Sequence, residues 1–285
     1  MQQGWWMNVG ILALIALLLG VSVYEPDIEH PIHFTPLTNI VANEVHHIRL
    51  LREQQPNITL ARQQGQWYVT QPFKLPANPF YVSKLLGILN TQQYTELNVD
   101  LNQLPFADLK LAPPLISMQI NNILSVDFGD VAPLGEGQRY VHYNEGLYLV
   151  PDSLDYILTA DSAAFASLFP IKETTELTLI QTPNYQLSKT GVTWKVDYDK
   201  TGKLSNNNKL VYDIVQQWQI MQALRIRSTL GTPTAIAAIT LHTAEEIIQF
   251  DIIATHPSFI LHRKDKGIDY QLPSHLVAQL LDIKQ

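Results

Sequence analysis

The side chains best suited to chemistry in this chain are its histidines. His30 and His33 flank a Pro-Ile pair, and His46 and His47 follow shortly after. Four imidazoles close together match the ligand set of a transition metal. His46 and His47, however, are neighbours in a segment that reads as a strand, where successive side chains point to opposite faces, so one site cannot easily take both. His142 and His262 lie further on. A catalytic histidine needs an acid and a nucleophile within reach, and the sequence shows no such grouping. There is no cysteine, which excludes disulfides, thiolate metal sites and a cysteine nucleophile. G-x-S-x-G, P-loop and H-E-x-x-H patterns are absent from the sequence. The glycine-containing stretch FGDVAPLGEGQRY (residues 128–140) lacks the strand–loop–helix setting of a phosphate cradle and reads as a long hairpin loop. Arg139 near its end reads as a surface arginine, with an anionic ligand as the rival reading. The Asn-Ile-Thr sequon at Asn57 carries no functional weight. The expectation is a chain with no catalytic residue, no cofactor and no metal. A formal net charge of −7 argues against nucleic acid, whose phosphates call for a basic surface.

The elements that would position any site follow from a repeat. PNITLARQQGQWYV (residues 56–69) and PNYQLSKTGVTWKV (residues 183–196) align without a gap. Pro56/Pro183, Asn57/Asn184, Leu60/Leu187, Trp67/Trp194 and Val69/Val196 are identical, where chance supplies about one match. After the first stretch, apolar residues at Val82, Leu85, Leu86 and Leu89 have helical spacing, and Asn78-Pro79 supplies an N-cap and a first-turn proline. After the second, Leu210, Val211, Ile214, Val215 and Trp218 share one helical face. Alternating runs with turns at Asn121-Asn122, at Asn144-Glu145-Gly146 and at Lys264–Gly267 predict hairpins. A short helix closes each unit, over Ser153–Leu158 and over Ser274–Leu281, and residues 162–169 form a further candidate. His142 matches His262, Pro151 matches Pro273 and Leu154 matches Leu276. The expected fold is α+β: two tandem lobes, residues 45–171 and 172–285, each in the order β-β-α-β-β-β-β-α. Trp67 and Trp194 are expected in the core at equivalent strand positions.

Ahead of the lobes, residues 5–24 carry no charge and as a helix would extend about 30 Å, the thickness of a hydrocarbon core. Trp5, Trp6 and Tyr24 stand at the ends, where aromatic rings favour the interface. The rival, a cleaved signal peptide, wants a basic start and a small-residue cleavage site, and residues 1–8 hold no Lys or Arg. Residues 1–24 therefore read as a transmembrane anchor and the Pro-rich residues 25–44 as a semi-extended linker. Acidic Glu25, Asp27 and Glu29 follow the span. The expected placement is a bacterial inner membrane, crossed once by residues 5–24, with the N-terminus cytoplasmic and the bulk periplasmic.

With these elements in place the chain resembles a bacterial family of membrane-anchored envelope proteins, "domain of unknown function 4340". The resemblance rests on PLTNI (36–40), ITLARQQGQWYVTQPFKLPAN leading into VSKLLGIL, ADLKLAPPLISMQI, VDFGD and RYVHYNEGLYLVPDS, which together cover about residues 36–153. The second lobe matches more loosely. The resemblance implies a periplasmic, non-catalytic accessory protein of the kind often found beside ABC transporters of the gliding-motility or auxiliary type, and it brings no catalytic residues. The leading expectation is an accessory or scaffold subunit docking on an inner-membrane complex, with an ABC transporter permease as candidate partner. A ligand-binding module using a cleft between the lobes (lipid, glycan or peptide) is the alternative, and a hydrolase with an unrecognised site is the third.

Overall fold

The computed structural model describes residues 35–53, 55–133, 137–172, 174–205 and 207–282. The expected anchor, residues 25–34 of the linker, and His30 and His33 lie outside them. Among the described residues no helix is long and apolar enough to cross a membrane.

The chain builds two antiparallel sheets. The first lobe runs β1 (His47–Arg52), β2 (Ile58–Gln63), β3 (Gln66–Gln71), β4 (Leu75–Pro76), α1 (Pro79–Leu89), β5 (Thr95–Glu96), β6 (Ile116–Ile120), β7 (Leu124–Val131), β8 (Gln138–Tyr143), β9 (Gly146–Pro151) and α2 (Asp155–Leu158). The second runs β10 (Leu177–Gln181), β11 (Tyr185–Thr190), β12 (Thr193–Asp199), α3 (Asn208–Ile220), β13 (Arg225–Ser228), β14 (Ala237–Thr243), β15 (Ile247–Ala254), β16 (Phe259–Arg263), β17 (Ile268–Leu272) and α4 (His275–Val277). The sheet orders are β4-β3-β2-β1-β6-β7-β8-β9-β5 and β12-β11-β10-β14-β15-β16-β17-β13. Apart from β4 they are the same order. In each lobe the chain leaves the helix, adds a short strand at the far edge of the sheet, and returns through a four-stranded meander.

The likeness extends to register. Trp67 lies opposite Arg62 and Val69 opposite Leu60; Trp194 lies opposite Lys189 and Val196 opposite Leu187. Both hairpins then shift register at the next residue. Both close through two-residue turns that require positive φ, Gln64-Gly65 with both residues positive and Gly191-Val192 with the glycine positive, the turns whose twist suits a hairpin.

Four strands precede α1 and three precede α3, where two were expected, and five follow each helix, where four were expected. The apolar runs of β1 and β2 are separated by a short polar turn, and periodicity does not say where one strand ends and the next begins. Residues 162–169 contain only a 3-10 turn, Ser162–Phe165. The described residues end in one α turn that runs into a π turn over Ala278–Asp282. The α1 start matches expectation: Asn78 Oδ1 accepts the Phe80 N–H at 3.0 Å, with Pro79 at the first helical position. Val82, Leu85, Ile88 and Leu89 are buried from α1; Val211, Ile214, Val215 and Trp218 are buried from α3.

The apolar core is continuous through both lobes, and Pro36–Gln285 forms one compact unit. Backbone and side chains stitch the lobes together. Asp161 accepts the Ser228 N–H at 2.9 Å and its hydroxyl at 2.5 Å, and Leu168 O accepts the Ala223 N–H at 2.8 Å. Trp67 and Trp194 pack against the core but are half-buried, not enclosed. β12 is the edge strand of its sheet, and β3 is bordered on its outer side only by the two-residue β4.

Candidate interaction surface

His46 is exposed and His47 half-buried, and their backbone N–H groups both donate to Asn121 Oδ1, at 2.9 and 3.0 Å. Among the described residues no group of three His, Cys, Asp or Glu side chains could hold a metal ion. His142 and His262 do fall on equivalent strands, β8 and β16, each opposite an aspartate of the preceding strand, Asp127 and Asp251. His262 is buried, with Nδ1 2.9 Å from Asp269 Oδ1 and 3.0 Å from Thr229 Oγ1, and the Thr229 hydroxyl also donates to Asp269 at 2.8 Å. Threonine and aspartate therefore crowd the same ring nitrogen. A relay to a nucleophile would need them on opposite nitrogens. In the first lobe Asp127 accepts from Ser117 at 2.6 Å and Ser125 at 2.9 Å, while His142 Nδ1 stands 3.9 Å away. Here the serine hydroxyls donate to the carboxylate and not to the imidazole, so the order is not that of a serine–histidine–aspartate relay.

Arg139 is buried, contrary to its reading as a surface residue. Its guanidinium donates to Asp152 Oδ1, Asp155 Oδ1 and the Gly129 carbonyl, each at 2.7 Å. It fastens the start of α2 to the β7–β8 pair. Arg52 acts similarly, donating to the carbonyls of Pro56 and Ala160, each at 2.5 Å, and to Ser162 Oγ at 2.9 Å. Burial lowers its pKa to about 10, with Asp161 opposing the shift.

The concave surfaces differ in character. Between the lobes lies a cavity of about 250 Å³ lined by Tyr68, Lys74, Phe169, Lys172, Glu246 and Arg263 among others. It is small beside typical small-molecule sites and carries both signs of charge. Arg263 there donates to Glu246 at 2.8 Å and to Asp265 at 3.1 Å.

A larger groove of about 560 Å³ opens between α1 and the β2–β3 turn. Trp67, Ala77, Val82 and Leu86 give it an apolar lining; Gly65, Ser83 and Gly87 give it room. Gly87 lies inside α1, where glycine costs about 1 kcal/mol relative to alanine, and a Cβ there would meet nothing within 4 Å. Packing among the described residues does not require it.

Beyond the first turn of α1 the surface turns aromatic. Phe80 and Tyr156 are each 51% exposed. Tyr81 packs edge-on to Phe80 at 5.7 Å and tilted against Phe165 at 4.8 Å. Lys84 Nζ lies 5.6 Å from the Phe80 ring centroid. Burial raises the Tyr81 phenol above its ordinary value, Tyr156 adds to the shift, and Arg225 of β13 opposes it. Aromatic rings with arginine are the composition of binding hot spots. The sequence reading passed over Phe80, Ser83, Gly87 and Tyr156. An unexplained glycine inside a helix was the one available signal.

A search of curated proteins gave no match, and neither did a search of solved structures. The sequence profile of a family described as "Domain of unknown function (DUF4340)" matches residues 67–243, from Trp67 in β3 through β14, and so spans the junction of the two lobes. The chain belongs to the DUF4340 family.

Proposed function

We propose that this protein is a membrane-anchored accessory subunit that works by contact, docking on a membrane complex of the ABC-transporter type from the periplasmic side. The exposed rings of Phe80 and Tyr156, with Lys84 over the Phe80 ring and half-buried Tyr81 packed edge-on to it, carry this reading. Water-exposed rings are poised to gain binding free energy when a partner covers them. The uncharged run over residues 5–24 supports the anchor, and the bonding of Arg52, Arg139 and His262 within the fold supports a role other than catalysis. The test is affinity purification from detergent-solubilised membranes with the patch intact and with Phe80→Asp plus Tyr156→Asp. The wild type should recover a membrane complex. The double variant should insert and fold normally yet lose it. Recovery of no membrane partner by the wild type, or equal recovery by both, overturns the reading.

A further inference from the structure

The two lobes differ at the groove over α1 in a way that identifies what it takes. Aligned on their N-caps, Asn78 and Asn207, the helices match at three buried positions, Val82 with Val211, Leu85 with Ile214 and Leu89 with Trp218, while half-buried Leu86 corresponds to buried Val215 and buried Ile88 to Gln217. Ser83 then corresponds to Tyr212 and Gly87 to Gln216. Aligned on their tryptophans, the hairpins place Gly65 opposite Val192. In the second lobe the Tyr212 hydroxyl reaches the Val192 carbonyl at 3.4 Å, so a phenol bridges the helix to the hairpin turn. In the first lobe the two corresponding residues, Ser83 and Gly65, both line the open groove. Serine and glycine stand where the duplicate carries tyrosine and valine, and Gly87 clears the helix surface one turn further on.

We infer that this groove is a docking site for a tyrosine side chain presented by a partner polypeptide, its ring lying where Tyr212 lies in the second lobe and its hydroxyl donating to the Gly65 carbonyl. The inference rests on the reading of the protein as one that works by contact, and it supplies the chemistry of the partner. The lining suits the guest. Trp67, Ala77, Val82 and Leu86 offer an apolar face, and among the described residues no charged side chain lines the groove; the Gly65 carbonyl accepts from Arg62 Nε at 3.4 Å and has a second lone pair for the guest. A phenol needs an apolar body for its ring and one acceptor for its hydroxyl. The open shape suits a side chain held by a larger molecule.

The probe is 4-methylphenol, the tyrosine side chain itself, titrated into the full chain labelled with 5-fluorotryptophan. The chain has five tryptophans, so Trp67 and Trp194 report on the two lobes within one sample. The Trp67 fluorine resonance should shift and saturate with a Kd of the order of 1 mM, while Trp194 stays still. Toluene, lacking the hydroxyl, should bind Trp67 about threefold more weakly or worse. Ser83→Tyr should abolish the Trp67 response. Tyr212→Ser with Val192→Gly should confer a response on Trp194. A silent Trp67, a Trp67 response that survives Ser83→Tyr, or equal responses at both rings overturns the inference. A stronger response to octanoate than to 4-methylphenol overturns it in favour of an acyl-chain site. Because these outcomes require no partner capture, they are separable from failure of the docking reading.

Discussion

The two lobes share strand order, hairpin register and even the position of a bulge, yet they spend this common framework differently. In the first lobe the margin strand β3 is covered: β4 pairs with it through Pro76 and Leu75, and Ala77 bridges onward to Ala166. In the second, β12 pairs only with β11, and its outer face carries Lys195 and Asp197 as a 3.1 Å ion pair, charges of the kind that discourage strand addition at an open edge. The interiors differ as well. Where the first lobe buries Ile58 and Leu89, the second buries Tyr185 and Trp218. Trp218 Nε1 donates to the Tyr185 hydroxyl at 2.8 Å, which donates to the Leu280 carbonyl at 2.7 Å. A polar chain thus ties the C-terminal turn to the sheet of the second lobe, while in the first lobe the corresponding pair is purely apolar. The comparison teaches that strand order and register follow from the apolar alternation both copies keep, whereas a handful of substitutions decide which copy is closed and which presents a groove.

The largest expected effect comes from breaking the polar chain. Trp218→Ala should cost about 3 to 5 kcal/mol, measured by urea unfolding, and should exceed Leu89→Ala, because it also strips the Tyr185 hydroxyl of its donor. Since one core runs through both lobes, the loss should appear as a single transition, with tryptophan fluorescence and far-ultraviolet dichroism coinciding. Two separated transitions would show that the lobes fold independently.

Arg139→Met should cost about 3 kcal/mol by leaving two aspartates and a carbonyl without their shared donor. The effect is smaller than for a wholly enclosed pair, because the Asp155 side chain is 45% exposed.

Tyr185→Phe should cost about 1 to 3 kcal/mol, since both the Trp218 N–H and the Leu280 carbonyl lose a partner. It also carries a pH signature. Burial raises the Tyr185 phenol above its ordinary value of 10, with the Trp218 hydrogen bond opposing, and burial likewise raises Tyr270. A phenol with a raised folded-state pKa contributes stability that is complete below the unfolded value and is lost as the pH climbs through the folded one. Stability should therefore fall above about pH 10, and Tyr185→Phe should flatten part of that fall. An unchanged alkaline limb would mean that the ring is not held protonated by burial.

The smallest effect sharpens the groove. Gly87→Ala should stabilise the protein by about 0.5 to 1 kcal/mol, because its Cβ meets nothing. If it stabilises the fold yet weakens 4-methylphenol binding, the glycine is kept for the guest and not for the helix.

The sequence by itself determined a good deal. The identities around Trp67 and Trp194, with the repeated helical faces, placed both hairpins, both long helices and their order, because burial imposes period two on a half-covered strand and a period near 3.6 on a helix. Asn78-Pro79 announced the start of α1 through a local hydrogen bond that needs no distant partner. What the sequence did not decide lies where residues far apart in the chain meet. Arg139 read as a surface residue because Asp152, Asp155 and the Gly129 carbonyl gather around it only once β7, β8 and α2 are assembled. The half-burial of Trp67 and Trp194 was equally out of reach, since period two says which way a ring points but not whether another layer covers it. The groove is the clearest case. Ser83 and Gly65 are unremarkable in sequence, and only the packing of α1 beside the β2–β3 turn turns two small side chains into a concave surface, because a cavity is a property of the space between elements and not of any one of them.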